Sequence, residues 1–176
     1  PISRPEDMCS LIEKHGVTHI KVVPSLLIRL LNDPAAKKHD LSSMRMIQSG
    51  GQCLQPETRA LANQIIPSAF VQENFGMSEG LLTFVRLDDP PEVRMGTVGK
   101  PVCADDEVML LDEDDNIVKP GEVGEMCCRG PYTLRGYFGV PDYNKRAFTT
   151  DGFYRTGDLM RQHPSGERKS TRLNSS

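Results

Sequence analysis

The sequence predicts an α/β layer followed by a small β-rich subdomain, and three observations carry that prediction. Helical and strand-like hydrophobic periodicities alternate up to about residue 95, each closed by a turn signal. Beyond that point Gly-rich turns separate short strands. The 176 residues are 38% hydrophobic and 26% charged, which suits a soluble globular chain with a real core. The expected division is residues 1–95 as the α/β portion, 96–166 as the β-rich portion, and 167–176 as a non-native or disordered tail.

Pro5-Glu6-Asp7 leads into Met8, Leu11 and Ile12, an i, i+3, i+4 stripe that Gly16 stops. Thr18 to Val23 is rich in β formers and ends at Pro24. Ser25 is the expected cap of the next helix, which buries Leu26, Leu27, Leu30 and Leu31. Met44 to Ile47 reads as a strand with Ser49-Gly50-Gly51 as the turn after it. Gln55-Pro56-Glu57 opens a helix with Pro in its first turn, packed down through Leu61, Ala62, Ile65 and Ile66. Ala69 to Gln72 is the next strand. In such strand–turn–helix repeats ligands meet the loops at the carboxyl ends of strands, where Gly50-Gly51 and Phe75-Gly76 fall. Further on, Glu107 to Leu111 and Gly124 to Arg129 read as strands. Between them lie the polar turn Asp112 to Asn116 and the turn signal Pro120-Gly121.

Composition excludes several function classes. A net charge of −3 with scattered Lys and Arg, no Trp, four Tyr and six Phe gives neither a basic patch nor a stacking platform, so no nucleic acid is expected. No apolar run reaches membrane-spanning length and no signal peptide opens the chain; the expected location is cytoplasmic, with no membrane partner. The five cysteines, at 9, 53, 103, 127 and 128, contain no CxxC pair and read as reduced, mostly buried thiols rather than a metal site. Cys53 has no histidine in a motif relation to it, and His15, His19, His39 and His163 show no catalytic or metal-ligand spacing. Asp112-Glu113-Asp114-Asp115 fails as a calcium loop. Ile117 and Val123 stand where the loop's glycine and its last glutamate belong, which leaves a solvated hairpin tip. The chain starts with Pro, and its last residues are polar and aperiodic; both ends read as cut from a longer protein.

Three places can carry chemistry, and each also has a plain structural reading. Glu79, between Ser78 and Gly80, can reach into a cleft and hold magnesium with phosphate oxygens and water, or it can be a surface residue or helix cap. Phe75 beside Gly76 can lie against a purine or belong to the core. Asp158, after Thr156-Gly157, can accept hydrogen bonds from both ribose hydroxyls or sit in a surface turn. Gly50 and Gly51 bring backbone close to a ligand or to a neighbouring strand.

Taken jointly and in order, several blocks carry a resemblance: Gln48-Ser49-Gly50-Gly51, Phe75-Gly76-Met77-Ser78-Glu79-Gly80-Leu81, Arg86-Leu87-Asp88-Asp89-Pro90, Gly99-Lys100-Pro101, Gly121-Glu122-Val123-Gly124-Glu125, Arg129 to Tyr137, and Gly152 to Asp158. Over about residues 1–166 the chain resembles the aryl-acid adenylating enzymes of siderophore biosynthesis. That branch lies within the superfamily of acyl-CoA synthetases, peptide-synthetase adenylation domains and luciferases. The resemblance implies part of the large N-terminal domain of an adenylate-forming enzyme. It implies ATP and Mg2+ as cofactors, an aryl carboxylic acid as substrate, and a phosphopantetheinylated aryl carrier protein as partner. It assigns Glu79 to magnesium, Ser78 to the α-phosphate and carboxylate, Phe75 to adenine, Gly76 and Met77 to the floor under the nucleotide, and Asp158 to the ribose. Gly50, Gly51 and Gln52 would line the wall between adenine and acid. Leu82 matches a position that touches the acid's ring, where Leu rather than Val is similar to the salicylate enzymes and not the 2,3-dihydroxybenzoate ones. Asn74 departs from the apolar residue usual before the aromatic. The family's phosphate loop and catalytic lysine fall outside these residues, so the fragment itself is expected to be inactive. The alternatives are an acyl-CoA ligase or amino-acid adenylation domain, and a non-catalytic binding or carrier-protein interaction module.

Overall fold

The computed structural model describes residues 4–163 and 170–172. Its contacts divide the chain into two compact units, Pro1–Asn74 and Phe75–Ser176.

In the first unit α1 (Pro5–His15) has acidic residues in its first turn, basic ones in its last, and stops where Gly16 turns left-handed at φ 59°. β1 (His19–Val22) follows. α2 (Pro24–Asn32) starts one residue earlier than the expected Ser25 cap. Val23 occupies the cap position without a side-chain bond, and Pro24, its φ already helical, takes the first helical position. The short α3 (Ala35–Lys38) is tied in by Asp33, whose Oδ1 accepts the Ala35 N–H at 3.0 Å. β2 (Met46–Gly50) begins later and ends later than its apolar run, so Ser49 and Gly50 belong to the strand and the turn starts at Gly51, φ 90°. α4 (Pro56–Ile65) opens on its proline as expected. β3 (Phe70–Gly76) outruns its apolar signal by four residues, because Glu73 and Asn74 are polar yet buried.

β1, β2 and β3 pair in parallel, with Ile20 beside Ile47 and Ile47 beside Val71. Leu27, Leu30, Met44, Ile47, Ala62 and Ile66, all almost wholly buried, centre this unit's core. Gly50 and Asn74 stand side by side at the carboxyl ends of β2 and β3.

The second unit starts with the Phe75–Gly76 end of β3. β4 (Leu82–Phe84) lies beside it, with the Thr83 hydroxyl donating to the Val98 carbonyl at 2.7 Å. α5 (Pro91–Gly96) and β5 (Lys100–Pro101) follow, β5 pairing antiparallel with β4. β6 (Glu107–Leu111), β7 (Val123–Arg129), β8 (Tyr154–Gln162) and β9 (Ser170–Arg172) form an antiparallel sheet in that order, with α6 (Pro141–Ala147) between β7 and β8. Asp112 organises the polar turn after β6, accepting the Asp114 and Asn116 N–H groups at 2.9 and 2.8 Å. Phe75, Leu81, Val98, Leu110, Met126, Cys128, Tyr154 and Met160 fill the core.

The architecture is the expected α/β portion followed by a smaller antiparallel β portion. Of the stretch 167–176, Ser170–Arg172 forms β9; the rest lies outside the described residues. No helix among the described residues is long and apolar enough to cross a membrane.

Candidate active site

The candidate residues fall in two sets, one in each unit. In the first unit Gly50 is buried, and a Cβ there would stand 2.5 Å from Asn74 Oδ1, so a larger residue would have to push the Asn74 side chain aside. Asn74 is 7% exposed, and its Oδ1 has no hydrogen-bond partner among the described residues. Gly51 and Gln52 are exposed on the bend that follows. That bend is braced from beneath by Glu73, whose Oε1 accepts the Leu54 N–H at 3.0 Å and whose Oε2 meets Arg59 Nη2 at 2.7 Å. Arg59 also donates to the Val71 carbonyl at 2.9 Å. Burial pushes the Glu73 carboxyl above the usual carboxylate range, against the pull of the Leu54 N–H and Arg59. Glu73 and Arg59 escape a motif search because their role is to hold a loop. The only sequence signal is a charged residue inside a strand and another on an apolar helix face.

In the second unit Met77, Ser78, Glu79 and Gly80 form one tight turn after the β3 end at Gly76, closed by Gly80 N–H on the Met77 carbonyl at 3.2 Å. Gly80 has φ 113°, and a Cβ on it would lie 2.5 Å from Thr133 Cα. Leu81 follows at φ 75° while 2% exposed, so two successive residues hold left-handed backbone next to the candidate carboxylate. Ser78 is exposed and Glu79 half-buried. Glu79 is gripped twice: Leu134 N–H donates to its carbonyl at 2.8 Å, and the Tyr137 hydroxyl to Oε1 at 2.9 Å. Tyr137 in turn lies 3.1 Å from the Tyr154 hydroxyl. These hydrogen bonds, with burial, push the Tyr137 phenol well above its usual range, so it acts as a hydrogen-bond donor and not as a base. Both tyrosines stand inside motif blocks, but nothing in their spacing reveals that they converge on Glu79.

Phe75 lies in the core, 5% exposed among Leu81, Val98, Met126 and Tyr154, so little of its ring face is open to a ligand. Met77 packs partly against the same core. Leu82 lies over Gly76: its Cδ1 is 2.7 Å from where a Cβ would be, so the glycine makes the space that Leu82 fills.

Asp158 is not in a turn but inside β8, at a bulge. Cys127 pairs with Arg155 and Glu125 with Leu159, so Thr156, Gly157 and Asp158 together oppose Met126 alone. Gly157, at φ 72°, permits the bulge. Glu125 pins it, accepting Gly157 N–H at 3.1 Å and Arg155 Nη1 at 3.0 Å. Thr156 Oγ1 donates to the Met126 carbonyl at 2.8 Å and accepts the Asp158 N–H at 3.0 Å. Asp158 is half-buried, four residues along the strand from Tyr154.

The residues fit a magnesium–nucleotide. One carboxylate with one oxygen held by a phenol suits a hard ion that keeps water and phosphate oxygens as its other ligands. No group of three or more His, Cys, Asp or Glu converges among the described residues. Cys9, Cys127 and Cys128 are buried, and burial pushes their thiols up to about 11, about 12 and about 12, which makes them inert.

A family described as AMP-binding enzyme matches residues 1–138. A salicylyl-CoA synthase / salicylate adenylyltransferase from Streptomyces sp is 43% identical over 163 residues, which are 92% of this chain and 29% of that protein. The 2,3-dihydroxybenzoate-AMP ligase of Bacillus subtilis (strain 168) is 41% identical over 161 residues, 92% of this chain and 30% of that protein. Among solved structures, the apo structure of MbtA from Mycobacterium smegmatis superposes with a TM-score of 0.85 at 39% identity, over 98% of this chain and 32% of that one. The chain thus spans about three-tenths of the length of these relatives.

Proposed function

Since this chain belongs to the AMP-binding enzyme family and is related to its salicylate– and 2,3-dihydroxybenzoate–AMP ligases, we propose that the full-length protein adenylates an aryl carboxylic acid with ATP. The observation that carries the reading is Glu79: a half-buried carboxylate at the carboxyl end of β3, one oxygen held by Tyr137, on a turn that Gly80 and Leu81 keep in left-handed backbone. In the proposed step the acid's carboxylate oxygen attacks the α-phosphorus of ATP, forming the acyl–O–P bond as pyrophosphate leaves. Mg2+, when bound, neutralises phosphate charge and so favours that displacement. Glu79 holds the ion. The exposed Ser78 hydroxyl donates to the α-phosphate or the incoming carboxylate. Asp158, set by the Thr156–Gly157 bulge, accepts the ribose hydroxyls. Gly50, Gly51 and Gln52 form the wall between adenine and acid. Gly76 and Met77 form the floor under the nucleotide, with Phe75 supporting the adenine end from the core. No side chain has to become a nucleophile, since the substrate brings its own; the protein positions reactants and offsets charge.

Salicylate is the favoured acid: Leu82 matches the family position that touches the acid's ring, and its extra methylene relative to Val would take the space a 3-hydroxyl needs. The phosphopantetheine thiol of an aryl carrier protein then attacks the acyl carbon of the adenylate, forming the thioester as AMP leaves and the thiol proton is lost, in siderophore assembly in the cytoplasm. Transfer to coenzyme A is the second reading, supported by the Streptomyces relative, whose name includes a CoA synthase. The test is pyrophosphate release by the full-length enzyme with ATP, Mg2+ and one acid at a time. Release with salicylate above 2,3-dihydroxybenzoate, and above aliphatic and amino acids, is the expected result. Release independent of any aryl acid would overturn the reading. Adding carrier protein or coenzyme A separately then identifies the acceptor.

A further inference from the structure

Glu79 sits on a turn whose side chain, left to itself, samples several rotamers, yet the segment 132–137 holds it at two points. Leu134 N–H fixes the Glu79 carbonyl and Tyr137 the carboxylate. Tyr137 is itself unusually well held. The Asn144 amide on α6 accepts the Tyr137 N–H and donates to the Tyr137 carbonyl, both at 2.8 Å, clamping one residue's backbone at both polar atoms. The Tyr137 ring meets Tyr143 and Tyr154 edge-on, with centroids 5.3 and 6.4 Å away.

The direction of the hydrogen bonds follows from chemistry. An ionised carboxylate only accepts, so Tyr137 donates to Glu79 and must take its own hydrogen bond from Tyr154. Tyr154 is 7% exposed and faces the core, so its hydroxyl is an oriented donor and not a mobile one. The chain Tyr154 → Tyr137 → Glu79 leaves Oε1 committed and the carboxylate plane fixed.

We propose that Tyr137 is the positioning residue for the metal-holding carboxylate, turning Glu79 Oε2 toward the cation while Oε1 stays with the phenol. The inference rests on the reading of Glu79 as the magnesium ligand. Hydroxyls behind a metal ligand tune affinity by fixing the ligand's orientation, and losing one costs about tenfold or more in metal affinity. In this role the Tyr137 hydroxyl acts through Glu79, so its loss should change the requirement for Mg2+ and not the chemistry at saturating Mg2+.

The experiment is a free-Mg2+ titration of pyrophosphate release at saturating ATP and acid, in the full-length enzyme, for wild type, Y137F, E79Q and the double variant. Y137F keeps the ring that packs on Tyr143 and Tyr154. The expected result is a half-saturating Mg2+ concentration raised about tenfold in Y137F, with kcat at saturating Mg2+ changed less than about twofold, and a larger rise in E79Q that Y137F does not increase. N144A, which frees the Tyr137 backbone without altering the phenol, should shift the Mg2+ requirement in the same direction and keeps the idea testable if Y137F folds poorly. An unchanged Mg2+ requirement in Y137F and N144A, or a full additive effect on top of E79Q, overturns the positioning role while leaving Glu79 as the ligand. An unchanged requirement in E79Q overturns the metal reading itself.

Discussion

Replacing Gly80 by Ala should damage the protein far more than replacing Gly121 by Ala, although both glycines have positive φ, 113° and 90°. Left-handed backbone costs a residue with a Cβ about 1–2 kcal/mol, and that cost is common to both sites. At Gly121 nothing among the described residues lies within 4 Å of the added carbon, so the loss should stop there. At Gly80 the new Cβ would stand 2.5 Å from Thr133 Cα, 2.8 Å from the Tyr132 carbonyl oxygen and 2.9 Å from Thr133 N, all backbone atoms that cannot swing aside. The turn must lift away from residues 132–134. Lifting it breaks the Leu134–Glu79 backbone bond, about 1 kcal/mol net. It also breaks the Tyr137–Glu79 bond, about 1–2 kcal/mol for a charged but half-exposed acceptor. Gly80→Ala should therefore cost about 3–5 kcal/mol and Gly121→Ala about 1–2 kcal/mol. Urea unfolding followed by tyrosine fluorescence measures both. Equal losses in the two variants would refute the argument, since they would mean that the turn does not need its close approach to Thr133.

Leu82→Val removes one methylene over Gly76, and kcat/KM for 2,3-dihydroxybenzoate relative to salicylate should rise about tenfold or more; competition kinetics give the ratio, and no change would take Leu82 out of the acid pocket. Glu73→Ala removes the carboxylate that bonds both Arg59, 4% exposed, and the Leu54 N–H, and should cost about 3–5 kcal/mol in urea unfolding; a loss under about 1 kcal/mol would show that the carboxylate does not brace the bend. His39 bridges Glu13 and Glu6 at 2.7 and 3.1 Å, which raises its pKa above 6.5 and lowers theirs below 4.5. The imidazole's contribution is complete below its unfolded value and fades as pH rises through the raised folded one. The carboxylates' contribution is complete above 4.5 and fades in acid. The melting difference between wild type and His39→Ala should thus peak between pH 4.5 and 6.5 and shrink steadily in alkali; a pH-independent difference would show that the bridge is not formed.

What could be read from the residues was whatever rests on hydrophobic period and turn chemistry. The stripe through Ile12 closed by Gly16, the proline that opens α4, the strand over Glu107–Leu111 and the Asp112 turn all act through local rules, and all stand as expected. The ends of β2 and β3 were harder to read because polar residues occupy them: Ser49, Glu73 and Asn74 are buried by their neighbours and not by their own hydrophobicity. Thr156-Gly157-Asp158 looked like a turn because a left-handed glycine marks a turn and a strand bulge alike; only the pairing with Glu125 and Cys127 separates them. Gly80 was legible as a small neighbour of Glu79, but its need for a close approach to Thr133 comes from residues more than fifty positions away. The same distance hides Tyr137, 58 residues from the carboxylate it holds.

The bulge in β8 has an arithmetic of its own. Three residues face one, so the strand carries a surplus of two, an even number. Side chains alternate between faces with period two, so an even surplus leaves inside and outside unchanged across the irregularity: Tyr154 before it and Met160 after it both point into the core. Removing both extra residues would restore a regular ladder with Met160 still inside. Removing or adding one would turn everything downstream over, exposing Met160 and burying Arg161. The protrusion that presents Asp158 can therefore be inherited or lost only in pairs of codons, and single-residue changes in its length are closed to this strand.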